Sequence, residues 1–235
     1  MIMSTIEQNL QAVHRSIAAA AQEAGRAPDS VLLLAVSKTF GPDAVIEAVR
    51  AGQNAFGENY LQEAEDKIAF VAAALPQNTL EWHFIGPIQS NKTRPIAEHF
   101  DWVHTVEREK IAQRLSQQRP SNMAPLNFCL QVNVSGEASK SGVAPGEVRA
   151  LAQQVAKLPH LRLRGLMAIP EPAVEFEQQC AAFRQLRLLY EQLQQDGLPL
   201  DTLSMGMSGD MRAAIVEGAT IVRVGSAIFG ARKAP

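Results

Sequence analysis

The chain has 235 residues, 46% hydrophobic and 20% charged, and a formal net charge of −2, a balance that suits an ordinary globular protein with one sizeable core. Its 22 lysines and arginines are scattered along the chain, so the basic field of a nucleic-acid or anionic-membrane binder is absent. The opening "MIMSTIEQNLQAVHRS" has no basic start, apolar run or small-residue cleavage site, and no later stretch reaches the length of a membrane span; a cytoplasmic protein is expected.

A helix is expected first, because Ile6, Leu10, Val13 and Ile17 recur at steps of four, three and four before Gly25 and Pro28 close the pattern. Short apolar, β-branched runs then appear at 31–36, 54–57, 82–86, 102–106, 127–134, 163–169, 201–206 and 220–225. Between them lie helical patterns near 42–51, 59–74, 91–98, 107–118, 145–157, 173–195 and 209–217; the sixth carries one apolar stripe, Phe176, Cys180, Phe183, Leu186, Leu189 and Leu193. The strand runs are apolar without polar alternation, as in a parallel sheet covered by helices on both faces. Eight such units predict an α/β fold, a (β/α)8 TIM barrel with an extra N-terminal helix, spanning 1–235 as a single domain. A doubly wound open sheet is the alternative, disfavoured because no G-x-G-x-x-G turn follows the first strand. Cys129 and Cys180 fall in a strand and a helix without ligand-type spacing and read as packed thiols.

In a barrel of this kind the functional rim is the C-terminal end of the strands. Lys38 stands there, after the buried run "VLLLAVS". A lysine short of water at such a place has more free amine for attack on an aldehyde, which makes it a Schiff-base candidate; a lysine that snorkels to the rim or pairs with Glu58 is the plainer reading. "SMGMSGDM" and "RVGSAIFG" end the seventh and eighth strands, where barrels often bind phosphate through glycine turns and the start of a short helix. Gly206, Gly209 and Gly225 admit close backbone approach, and Ser208 and Ser226 each offer a hydroxyl donor. An amine and a phosphate cup on one rim suit the two ends of pyridoxal 5'-phosphate, with Arg223 placed by strand alternation to reach the ring nitrogen. The plainer reading of Arg223 is an ion pair inside the barrel.

The stretches "AVSKT", "FGENYLQE", "WHFIGPIQSNK", "VNVSGEASKSG", "LRGLMAI", "LSMGMSGDM" and "IVRVGSAIFGAR", in this order from Val31 to Arg232, resemble the pyridoxal-phosphate homeostasis proteins, the YggS-like or PROSC family. The resemblance implies a barrel like the N-terminal domain of alanine racemase, with Lys38 forming the internal aldimine. It puts phosphate contacts at Ser208, Gly225 and Ser226, Arg223 at the pyridine nitrogen, and Asn59, His83, Met167 and Met207 among the residues lining the ring. Many relatives have threonine at Ser226, which keeps the hydroxyl, and often an acidic residue at Gly209. The chain ends at Pro235, just past the eighth strand, so no second domain or opposed catalytic base is expected, and catalytic residues and metal ligands are given as none. The expected function is carriage of pyridoxal phosphate and a part in vitamin B6 homeostasis, the alternative being an amino-acid racemase or related aldimine enzyme. Pyridoxal-phosphate-dependent apoenzymes are candidate recipients, and a monomer is expected. Lys140 reads as a solvated loop lysine or a transient second aldehyde acceptor, and "GPIQSNKTRP" as a cover for the cofactor or a contact for a recipient.

Overall fold

The computed structural model describes residues 3–136 and 141–231. Helix α1, Thr5–Glu23, starts at Ser4, whose hydroxyl accepts the Glu7 amide at 3.2 Å. Its buried face is Leu10, Val13, Ile17, Ala20 and Ala21, so the predicted stripe is buried at Leu10, Val13 and Ile17, while Ile6 is only partly buried. The eight expected strands follow as β1 Leu32–Val36, β2 Ala55–Glu58, β3 Glu81–Phe84, β4 Trp102–Val106, β5 Leu126–Gln131, β6 Leu161–Met167, β7 Thr202–Ser204 and β8 Ile221–Val224. Each pairs in parallel with the next, and β8 returns to β1, with Leu34 beside Arg223. This closure rules out the doubly wound alternative.

The connecting helices are α2 Pro42–Arg50, α3 Leu61–Ala74, α4 Thr93–His99, α5 Glu109–Gln118, α6 Val148–Val155, α7 Phe176–Gln195 and α8 Met211–Val216, with one final turn, α9 Ser226–Phe229. Boundaries differ from expectation where local chemistry intervenes. The helical pattern expected over 145–157 starts as a 3-10 turn, Pro145–Glu147, before α6. The fifth strand ends at Gln131; beyond it Val132 bridges to Val143 while its amide still donates to the Met167 carbonyl at 2.8 Å. Lys140 lies outside the described residues. Among those described, no helix is long and apolar enough to cross a membrane, and no group of His, Cys, Asp or Glu could hold a metal ion.

Strand alternation sorts the core into two populations. Phe56, Phe84, Val103, Phe128, Leu130, Leu166 and Val222 belong to a large cluster between sheet and helices. Leu34, Val36, Ala55, Ile85, Trp102, Cys129, Met167 and Ile221 form a separate smaller one inside the ring. Both cysteines are free and buried, as expected. Glycines regulate the width of the ring: a Cβ on Gly165 would fall on the Thr202 carbonyl oxygen of the neighbouring strand. Gly165→Ala must therefore push β6 from β7, and urea denaturation should show a loss of about 3 kcal/mol or more.

Candidate functional site

Lys38 is half-buried at the C-terminal rim, in the turn that follows β1. The residues on either side of it are held by α3. Lys67, 3% exposed, donates from Nζ to the Ser37 carbonyl at 2.8 Å, to Glu58 Oε1 at 2.6 Å and to Glu63 Oε1 at 2.9 Å. Ser37 Oγ donates to the same Glu58 oxygen at 2.6 Å, and the Thr39 amide donates to Glu63 Oε1 at 2.6 Å. Thr39 adopts φ 68°, a left-handed conformation that a β-branched residue keeps only when its surroundings enforce it. The cation on Glu58 Oε1 is Lys67. Burial pushes the Glu58 carboxyl up, and the Lys67 charge pulls it back. Lys67→Met should cost about 3–5 kcal/mol by stranding that carboxylate. The double variant with Glu58→Met should recover part of the loss, as urea midpoints will report.

The two glycine loops share this rim, because β8 lies between β7 and β1. After β7, Gly206 has φ 98°, and its missing Cβ would stand 2.5 Å from that of Ala214. The Arg223 amide donates to the Gly206 carbonyl at 2.9 Å. Asp210 closes the loop by accepting the Met207 amide at 2.6 Å, leaving Met207, Ser208 and Gly209 exposed. Gly209 has open space around it, so a larger side chain would fit there. After β8, a Cβ on Gly225 would approach the Val36 carbonyl oxygen to 3.2 Å, and α9 begins at exposed Ser226 with no side chain capping it. The first N–H groups of such a turn have no intrahelical acceptor. Asn59, just past β2, is half-buried, and its Oδ1 is buried without a partner.

Below the rim the barrel interior is polar on one side. Arg223, 4% exposed, donates from Nη1 to Ser204 Oγ at 2.8 Å and from Nη2 to the Ala168 carbonyl at 3.0 Å. Burial lowers its pKa to about 10, with Asp210 acting against that fall, so the guanidinium stays charged at neutral pH. No carboxylate touches it directly among these contacts, and the plainer reading of an interior ion pair gives way to a hydrogen-bonded cation. Ser204 Oγ lies 2.7 Å from His104 Nδ1, His104 Nε2 lies 2.8 Å from His83 Nδ1, and His83 Nε2 lies 2.8 Å from Glu81 Oε1. His83 stacks on Trp102 with centroids 5.3 Å apart. It is fully buried with both ring nitrogens engaged, one layer beneath the mouth. Met167 is buried in the interior cluster. Sequence reasoning did not single out His104, Glu81 or Lys67; the polar His104 within the apolar run of β4 was the one visible signal.

Burial lowers His83 and, more strongly, His104 below their ordinary 6.5, so both rings are neutral in the fold. As pH falls below 6.5 the unfolded chain takes up these protons and the folded chain does not, so stability is full above that value and declines below it. The slope is about 1.4 kcal/mol per pH unit for each ring. Urea midpoints through the acid range should fall accordingly, and His104→Gln should remove roughly half of the slope from this pair.

A separate cavity of about 720 Å³ opens at the other end of the barrel, lined by Leu33, Gln53, Glu81, Asp101 and Asn127 among others. The rim remains the better candidate, since the lysine and both glycine loops meet there.

The fold and this rim define a barrel of the alanine racemase N-terminal domain type, and the model of that family, "Alanine racemase, N-terminal domain", matches residues 8–233. The chain is 65% identical over 230 residues to the pyridoxal phosphate homeostasis protein of Pseudomonas aeruginosa, covering 98% of this chain and 97% of that one. It is 59% identical over 230 residues to the protein of the same name from Vibrio cholerae, covering 98% of each. The structure of PipY from Synechococcus elongatus PCC7942 with PLP bound superposes with a TM-score of 0.82 at 38% identity, over 96% of this chain and all of that one. Alanine racemase from Corynebacterium glutamicum shares the fold, with a TM-score of 0.68 at 16% identity over 95% of this chain and 59% of that one. The chain therefore belongs to the alanine racemase N-terminal domain family and, within it, to the pyridoxal phosphate homeostasis proteins.

Proposed function

We propose that this chain, as one cofactor-binding unit over residues 1–235, carries pyridoxal 5'-phosphate on Lys38 and helps to set its intracellular supply. The observation that carries the reading is the meeting on one rim of a lysine in a clamped turn, two glycine loops and a buried guanidinium. PipY, 38% identical, is described with PLP bound, and the relatives at 59% and 65% identity bear the homeostasis name.

The residues suit that occupant. Lys38 would hold the cofactor through its amine, one C=N bond to the aldehyde carbon replacing the carbonyl oxygen, which would leave as water. Ser208, Gly225 and Ser226 offer hydroxyl and backbone donors to the phosphate. Asn59 Oδ1 has an unused lone pair at the same rim, and Met207 and Met167 supply apolar surface. Arg223 would face the ring nitrogen, and its fixed charge would disfavour protonating that atom, making the bound ring a poor electron sink. That property favours carriage over amino-acid turnover. His83 acts from beneath, through His104. The protein works in the cytoplasm as a monomer and passes the cofactor to apoenzymes.

The protein should bind pyridoxal phosphate with a visible absorption band, and borohydride should fix the adduct on Lys38. Lys38→Ala should abolish that adduct; an adduct of equal yield on another lysine would defeat the assignment. Ser208→Ala should weaken binding by about tenfold or more, the worth of a hydrogen bond to a charged group. Rapid exchange of amino-acid α-protons in deuterium oxide, followed by NMR, would favour the racemase-like alternative instead.

A further inference from the structure

Arg223 does not end the polar interior; it begins a row that crosses the whole barrel. The order is Arg223, Ser204, His104, His83 and Glu81, joined at 2.8, 2.7, 2.8 and 2.8 Å. The links come from β8, β7, β4 and β3, so they run across the ring and also down it, from the strand ends to Glu81 at the first position of β3. Glu81 is 46% exposed at that far mouth, where the cavity of about 720 Å³ opens on it.

The ends of the row decide where every proton sits. A guanidinium only donates, so Ser204 Oγ accepts from Arg223. An ionised carboxylate only accepts, so His83 donates to Glu81 from Nε2. His83, buried and neutral, then has a bare Nδ1, which accepts from His104 Nε2–H. His104, neutral too, has a bare Nδ1, which takes the Ser204 hydroxyl proton. All four bonds therefore point one way, from cation to carboxylate, and bonds aligned in series polarise and strengthen one another. No other arrangement of the protons satisfies both ends with neutral rings.

We propose that Glu81, His83, His104 and Ser204 are positioning residues that act on the cofactor through Arg223, as a one-way hydrogen-bond chain by which a carboxylate at the far mouth fixes the guanidinium's orientation and offsets its charge. The proposal rests on the reading that Arg223 faces the pyridine nitrogen. No bond is made or broken and no net proton moves; what passes along the chain is polarisation. The ring's electronic state thereby answers to the electrostatics of the opposite face. The charges that bear on Glu81 there are Asp101, which accepts the Trp82 amide and is itself offset by Arg119, and Arg164, which stacks 4.6 Å over Trp102 and pairs with Asp201. At the other end Asp210 and Cys129 face Arg223.

Two measurements test it, and Glu81, half-exposed, is a mild place to cut. In cofactor-free protein with 15N-labelled histidine, both rings should be Nε2–H tautomers from mildly acidic to mildly alkaline pH. Glu81→Ala should release them into mixed tautomers at both rings, while Glu81→Gln, which keeps an acceptor oxygen, should restore the wild-type pattern. In the loaded protein, Glu81→Ala and Glu81→Gln both remove the compensating charge. Each should lower the pH midpoint of the visible band's titration by about half a unit, across roughly 15 Å of barrel. Nδ1–H tautomers in the wild type, or tautomers unmoved in Glu81→Ala, overturn the chain. Released tautomers with an unmoved midpoint overturn its action on the cofactor. A wild type that stays colourless with pyridoxal phosphate overturns the functional reading and with it the cofactor half of this one, leaving the tautomers to judge the chain alone.

Discussion

The pairing of β8 with β1 is the constraint on which the rest depends. Until it forms, Lys38 and the loop at Gly225 belong to opposite ends of an open sheet. Once it forms, Leu34 lies beside Arg223, Val36 lies under Gly225, and the amine and the phosphate-type loops share one rim. The same closure makes the interior a space that inward side chains must fill completely. Eight apolar residues fill one part, and a buried cation with its hydrogen-bonded row fills another. A guanidinium in such a place is tolerated because its donors meet Ser204 and the Ala168 carbonyl.

Around this frame α3 does local work. Lys67 and Glu63 grip the peptide on both sides of Lys38, one through the Ser37 carbonyl and the other through the Thr39 amide. A left-handed threonine beside Lys38 is a strained arrangement, of order 1–3 kcal/mol, and the buried Lys67–Glu58 pair gives the neighbourhood stiffness enough to keep it. The main chain that carries Lys38 is thereby held from drifting.

Much of this was legible in the sequence, and the reasons are specific. Strand runs without polar alternation announced a sheet covered on both faces, and a lysine directly after the first run marked the rim. Glycine and serine together after the last two runs marked the loops. What escaped was pairing across distance. Lys67 reads as one more helical lysine, because nothing in "LQEAEDKIAF" tells that its tip reaches a strand end. His83 was expected at the ring pocket through the resemblance alone, and its partners stand 21 residues away at His104 and then a further 100 at Ser204. Such contacts follow from strand register and barrel stagger, which periodicity does not encode. Strand ends were misjudged where a later segment captured them, as Val143 does beyond β5.

Cys129 gives the closed ring a further property. Its thiol lies in the interior cluster, and burial pushes its pKa up to about 12. Alkylating reagents and oxidants attack the thiolate, so this sulfur is inert for as long as the ring stays shut. Each modification at Cys129 therefore records an opening of the barrel, and the protein carries its own chemical clock for how often its sheet comes apart.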